Sequence, residues 1–314
     1  MLKILHVVFY FIMLFWSVCA VADNCPPPLI KPTAEMIQNG MRNARDHGFL
    51  WRISKDGRTS YLYGTVHVAK FDWMFPGPQV MQAIRATDSV ALEMDMLDAG
   101  IQQDMATRMA KMQSTALPAA LQKRIRQQAE AFCVPYDSIA KLTPEFQVVA
   151  LTMMVGRSSG LEAGYAIDSV LAGIGHSAKK NMVSLESPEL QLQVLQMHNE
   201  KEMLAFVEDS LKELEENRSL TMLNRIAKHW ENADYTEMEH FNEWCDCLNT
   251  DIERVMMKRL LDERNPELAA KIDALHTGGK QVFAAVGSLH MFGPLGLPEL
   301  MTKRGYKVVR LEFK

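Results

Sequence analysis

The sequence predicts an α/β fold: a mixed central sheet, a duplicated β-α-β Gly-x-x-His unit at the two ends of the chain, and a largely helical middle. Three observations predict it. The run Tyr61-Leu-Tyr-Gly64-Thr-Val-His67 is apolar and β-prone, closes on a glycine, and sets an imidazole three residues later, where the chain leaves the strand. Near the C-terminus Val282-Phe-Ala-Ala-Val-Gly287-Ser-Leu-His290 repeats the layout. In the middle third, apolar residues recur at threes and fours, the period of a helix with one buried face.

Taken in order, residues 1–22 begin with Lys3, run apolar from Ile4 to Val18 and finish Ala20-Val21-Ala22, a small-x-small cleavage pattern. The apolar core is shorter than the roughly 20 residues a spanning helix needs, so the segment reads as a secretory signal peptide. Residues 23–314 are expected to form one exported domain, periplasmic or secreted, with no membrane span left after processing. Loss of Lys3 leaves 33 basic against 38 acidic side chains, a net charge of −5, which offers nothing to nucleic acid or a membrane surface.

Thr33 to His47 has helical character, and Phe49–Ser54 with Thr59–Gly64 reads as a hairpin across Lys55-Asp-Gly57-Arg. After His67 come a proline-rich loop, a helix near Gln79–Ala86 and an apolar strand, Val90-Ala-Leu-Glu93-Met-Asp95. After His290 come Pro294 and Pro298, a short helix near Pro298–Lys303 and the strand Val308-Val-Arg-Leu-Glu312. A duplication of this kind, with right-handed crossovers, is expected to lay each pair of strands side by side and parallel. Between the two units, Leu190, Val194, Met197, Leu204, Val207, Leu211 and Leu214 form the stripe of one long helix, and Asp251–Glu263 repeats the pattern with Ile252, Val255, Met256 and Leu260. Lys180-Asn-Met-Val-Ser-Leu-Glu186-Ser-Pro188 interrupts the helices as a short strand ending in an acid, followed by a helix-starting proline.

Imidazole nitrogen and carboxylate oxygen are ligands that Zn, Mn, Co and Fe all accept. Two histidines and a glutamate from separate strand ends therefore suggest a site for a divalent metal ion held by His67, His290 and Glu93. Glu93 lies within an apolar strand, where a buried acid needs a cation, a metal or an edge to offset its desolvation. Asp95 alternates to the same face, as a second ligand or an orienter of His67. Glu312, close to the terminus, reads as an exposed edge residue.

Other residues carry less. His240-Phe-Asn-Glu-Trp-Cys245-Asp-Cys247 lies in a helical stretch with no second cysteine pair, so it does not read as a metal site. The 22 methionines read as adaptable core filler. His176, His198, His229 and His276 stand among polar helical residues and are expected in solvent. Cys25, Cys133, Cys245 and Cys247 make an even number in an oxidising compartment, so one disulfide is expected among three connectivities, with Cys245 and Cys247 too close to pair without strain. The absence of a Gly-x-Ser-x-Gly elbow, a phosphate loop, a dinucleotide fingerprint and His-Glu-x-x-His removes the usual support for serine hydrolases and nucleotide enzymes.

Six short pieces in this order resemble the TraB/GumN family, which includes the pheromone-shutdown proteins and the Tiki metalloproteases. They are Tyr63-Gly-Thr-Val-His67, Leu92-Glu93-Met-Asp95, Gly164-Tyr-Ala-Ile-Asp168, Leu185-Glu186-Ser-Pro-Glu189, Asp262-Glu-Arg264-Asn265 and Val286-Gly-Ser-Leu-His290. The resemblance runs from about Leu50 to Leu311 and implies a metal-dependent, peptidase-like hydrolase with both Gly-x-x-His histidines and Glu93 at its site. Tyr165 is a departure, since relatives more often have Gly-Ile-Asp. On this reading His67, His290 and Glu93 hold the ion, Glu186 or Glu93 takes a proton from the attacking water, and Arg264 binds a substrate carboxylate or an oxyanion in a peptide or small-molecule substrate. The rival is a non-catalytic haem- or metal-binding exported protein, because the family is similar in fold to haem-binding lipoproteins.

Export is directly checkable. Intact-mass analysis should find a chain beginning at Asp23 outside the cytoplasm; cytosolic protein retaining Met1 would refute the signal reading.

Overall fold

The computed structural model describes residues 25–27 and 29–313, so the signal segment lies outside the described residues. A six-stranded sheet organises the chain in the order β4-β3-β5-β2-β1-β6. Its strands are β1 (Phe49–Lys55), β2 (Arg58–Thr65), β3 (Ser89–Leu92), β4 (Asn181–Ser184), β5 (Val282–Gly287) and β6 (Lys307–Leu311). β4, β3, β5 and β2 run parallel, while β1 is antiparallel to both β2 and β6. The fold is thus a mixed α/β sheet with a largely helical middle.

The hairpin forms as its turn chemistry requires. Lys55 pairs with Arg58, leaving Asp56 and Gly57 as a two-residue loop with φ of 50° and 75°, the left-handed pair that matches strand twist.

The expectation that each unit pairs its own two strands is not met. β5 lies between β2 and β3, and β2 and β1 separate β5 from β6. Burial gives the reason. Val282-Phe-Ala-Ala-Val of β5 is fully enclosed, and a strand apolar on both faces is most stable at the centre, whereas Lys307 and Arg310 of β6 suit an edge. Glu312 is exposed just beyond that edge.

Several helices are shorter than their periodicity suggests. Ala34–Arg42 is capped by Thr33 and ends before Asp46, whose carboxylate leaves to accept the backbone N–H groups of Gln79 and Val80 at the start of the helix Pro78–Arg85. The stripe from Leu190 to Leu214 falls on two helices, Pro188–Leu195 and Glu200–Glu215, because the Asn199 side chain accepts from Glu202 N and begins a new one. The segment from Asp251 is α-helical to Met257 and then a π-turn, Lys258–Asp262, with Val255 turned to solvent. A second apolar core, around Ile125, Leu151, Val207 and Leu211, fills the helical region apart from the core on the sheet.

Three further expectations are corrected. Two disulfides form, Cys25–Cys133 and Cys245–Cys247, the latter across Asp246 at φ 46°, a left-handed residue that brings the ends of so short a loop together. His276 and His229 are buried rather than solvated: His276 bonds Ser60 Oγ and Lys55 O, and His229 bonds Asp234. Asp95 turns to His176, 2.7 Å away, and does not orient His67.

Trp230 links the helical layer to the site's first strand. Its Nε1 donates to Gly64 O at 2.8 Å, and its carbonyl accepts Gly48 N at 2.8 Å. Trp230→Phe removes the buried indole hydrogen bond to Gly64 O and should lower stability by about 0.5–1.5 kcal/mol, read as a reduced urea midpoint at unchanged slope.

Candidate metal and hydrolytic site

The parallel strands place their carboxyl ends on one edge of the sheet, where open α/β sheets gather ligands. Gly64 of β2 pairs with Val286 of β5, and Leu92 of β3 with Ala285, so His67, Glu93 and Gly287 emerge at the same level. Pairing continues past β3 and β4, with Glu186 N donating to Glu93 O at 2.8 Å, and this sets the two acids side by side.

The two Gly-x-x-His segments dock on each other. Ser288 Oγ donates to Thr65 O at 2.8 Å, and a Cβ on Gly64 would lie 3.0 Å from Ser288 Oγ and 3.1 Å from its Cα. Gly287 serves the enclosed space instead, since a Cβ there would lie 3.3 Å from Glu93 Oε1, 3.4 Å from His67 Nε2 and 3.7 Å from His290 Cδ2. One glycine permits the contact between the segments, and the other keeps open the space they enclose.

Each imidazole is fixed through Nδ1. His67 Nδ1 lies 2.8 Å from Asp168 Oδ2, and the other oxygen of Asp168 accepts Thr65 Oγ1 at 2.6 Å. His290 Nδ1 bonds Asn265 Oδ1, whose amide nitrogen is tied to Leu295 O. A histidine whose Nδ1–H is donated presents a lone pair at Nε2, the arrangement of a metal-ligating imidazole and its supporting carboxylate or carbonyl. His67 is half exposed and His290 is buried, with Nε2 3.7 Å from Glu93 Oε1.

Charge is concentrated behind them. Glu93 Oε1 accepts Gly287 N at 2.7 Å, and Oε2 accepts Arg264 Nη2 at 2.7 Å and Gln191 at 3.2 Å. Burial opposes ionisation of Glu93, but the His290 and His67 imidazoles, Arg264 and Gly287 N outweigh it and hold the carboxyl well below the usual range. Burial pushes His290 down to about 4. The charge of Asp168 lifts His67 to about 9.

Glu186 occupies a different place from the one expected of a base. Arg264 grips it with Nε at 2.8 Å and Nη2 at 2.5 Å, and Gln191 donates to Oε2, so Glu186 anchors the arginine and does not line the cavity. Arg264 in turn spends its fork on the protein, since Nη1 also donates to Leu260 O in the π-turn. Of its five N–H groups, one on Nη1 is left for a substrate oxygen, which excludes bidentate capture of a carboxylate.

These groups line a cavity of about 250 Å³ with apolar walls that include Met153, Leu223, Ile226, Leu260, Leu261 and Leu289. The structure brings together His67, His290, Glu93 and Arg264 around it, with Glu186 behind. His67, His290 and Glu93 offer the nitrogen and oxygen donors that a divalent ion accepts. Among the described residues, the group whose ligand atoms all lie within 4.8 Å of one another is elsewhere: Asp209, Glu213 and Glu253, an acidic trio that could hold a metal ion. His67, His290 and Glu93 are more widely spread.

The profile of the TraB/PrgY/gumN family matches residues 49–310. The chain belongs to that family. No curated protein and no solved structure matches it. The TraB/PrgY/gumN match spans the sheet from β1 to β6 and every site residue named above. Residue reasoning missed the supporting partners Thr65, Asp168, Gln191 and Asn265. Asp168 and Asn265 stand in the quoted motifs, but no periodicity marks them as partners of the two histidines.

His67 binds its proton more tightly in the folded chain than at its ordinary 6.5, so the ion pair's stabilisation is complete below that pH and fades as pH rises through about 9. In metal-free protein, an NMR titration should place His67 near the upper value, and Asp168→Asn should return it toward the lower. An unchanged midpoint in the variant would remove Asp168 from this role.

Proposed function

We propose that this chain is an exported, metal-dependent hydrolase, most simply a peptidase. The observation that carries the reading is the pair of imidazoles, each locked through Nδ1, presenting Nε2 beside Glu93 across Gly287. His67 Nε2, His290 Nε2 and Glu93 would hold the ion, for which Zn, Mn, Co and Fe are all suitable. A divalent ion there supplies Lewis acidity, polarising a carbonyl and acidifying water.

The chain's own groups do the rest. Glu93 Oε1 is the carboxylate oxygen that faces the cavity, and it is the atom through which Glu93 would hold the ion. Arg264 directs its remaining Nη1–H at the oxygen on which charge develops, while Glu186 keeps the guanidinium from rotating away. The apolar wall suits an apolar side chain next to the scissile bond. Each of the two Gly-x-x-His strand ends contributes one histidine.

Elemental analysis of the purified chain, paired with a peptide-library assay with and without chelator, tests the reading. Glu93→Gln should lose metal. Glu186→Gln should retain metal while turnover falls by roughly 10²–10³-fold, the scale of a misplaced oxyanion donor. A metal-replete wild type that cleaves nothing, yet binds haem and loses it in both His67→Ala and His290→Ala, would establish the binding protein instead.

A further inference from the structure

Away from the sheet edge, the helix Glu200–Glu215 meets the start of the helix Asp251–Met257 at three acids. Glu253 completes the capping box of the second helix: its Oε2 accepts the backbone N–H groups of Asn249 and Thr250. The other oxygen, Oε1, is buried without a hydrogen-bond partner, on a residue only 8% exposed. A carboxylate oxygen removed from water and left unpaired carries a desolvation penalty of several kcal/mol unless positive charge reaches it.

No side chain fully supplies that charge. Arg218 comes nearest, with Nη1 3.8 Å from both Glu253 Oε1 and Glu213 Oε1 and 3.7 Å from Asp246 Oδ2, all beyond hydrogen-bond reach. Its Nε is already committed to Glu216 at 2.9 Å. Meanwhile oxygens of Asp209, Glu213 and Glu253 crowd within 4.8 Å of one another. Two hydroxyls steady the group from behind: Thr250 Oγ1 donates to Asp209 at 3.2 Å and Ser219 Oγ to Glu213 at 3.3 Å.

We propose that Asp209, Glu213 and Glu253 form a second metal site, selective for a hard divalent cation of the calcium type. Oxygen-only donors exclude the softer preferences of an imidazole site, and carboxylates fixed on two helices suit the adaptable coordination of Ca²⁺ better than the near-ideal octahedron that Mg²⁺ demands. An ion there would give Glu253 Oε1 its missing partner and tie the two helices together. The second helix runs through the π-turn directly into Arg264, so the tie would also steady the arginine at the sheet edge.

The test uses the full chain after chelator treatment, titrated with CaCl₂ by calorimetry and followed by thermal unfolding. Wild type and His67→Ala should bind one Ca²⁺ and gain Tm alike, because the site is independent of the imidazoles. Glu253→Gln, which retains the cap, and Glu213→Gln should each weaken binding by at least the roughly tenfold that even supporting groups cost a metal site. The proposal is overturned by a wild type without saturable Ca²⁺ binding, by binding that survives unchanged in both Gln variants, or by binding that vanishes in His67→Ala. The wild-type measurement decides even where a variant fails to fold.

Discussion

A carboxylate buried at the end of a parallel sheet has to be compensated from several directions at once, and Glu93 is compensated from three. Gly287 N–H reaches it from β5, Arg264 from the end of the π-turn, and Gln191 from the helix after β4. None of these segments is near another in sequence. The charge of Glu93 therefore fixes how the middle of the chain returns to the sheet, and removing it would leave Arg264 with Glu186 as its one carboxylate and Gly287 N without its acceptor. Such a group is costly to bury and more costly to leave half paired.

The strand order follows from a similar constraint. By entering between β2 and β3, β5 buries its apolar run on both faces and places its own Gly-x-x-His beside the first. The contact of Ser288 with Thr65 then becomes possible, and it makes two separate strand ends into one cavity wall. The same choice that satisfies the core assembles the site.

Much of this is legible from local pattern. The hairpin turn, the helix-starting Pro188 and the strand-end positions of His67, Glu93, Glu186 and His290 each depend on residues within a few positions of one another. What is not legible depends on distant partners. Asp95 and Asp168 are both acids near short apolar stretches, and only the path of the helix Ile167–Ser177 decides that the second meets His67. Glu186 reads as a free base because nothing in its neighbourhood announces an arginine 78 positions away. His276 looks like a surface histidine until Ser60 and Lys55 enclose it.

The π-turn at Lys258–Asp262 has a consequence for chain length. A π-turn accommodates one residue more than the α-helical turn it replaces. Deleting a single residue there would restore the regular helix and rotate everything after it by about 100°, carrying Arg264 off the two carboxylates while leaving the apolar stripe almost intact. The segment is thus a phase shifter: upstream, the helix is registered to the helical core by Met256, and downstream, to the charges of the sheet edge. Relatives that differ by one residue at this point would differ in whether a guanidinium reaches the site at all, however similar their strands and histidines.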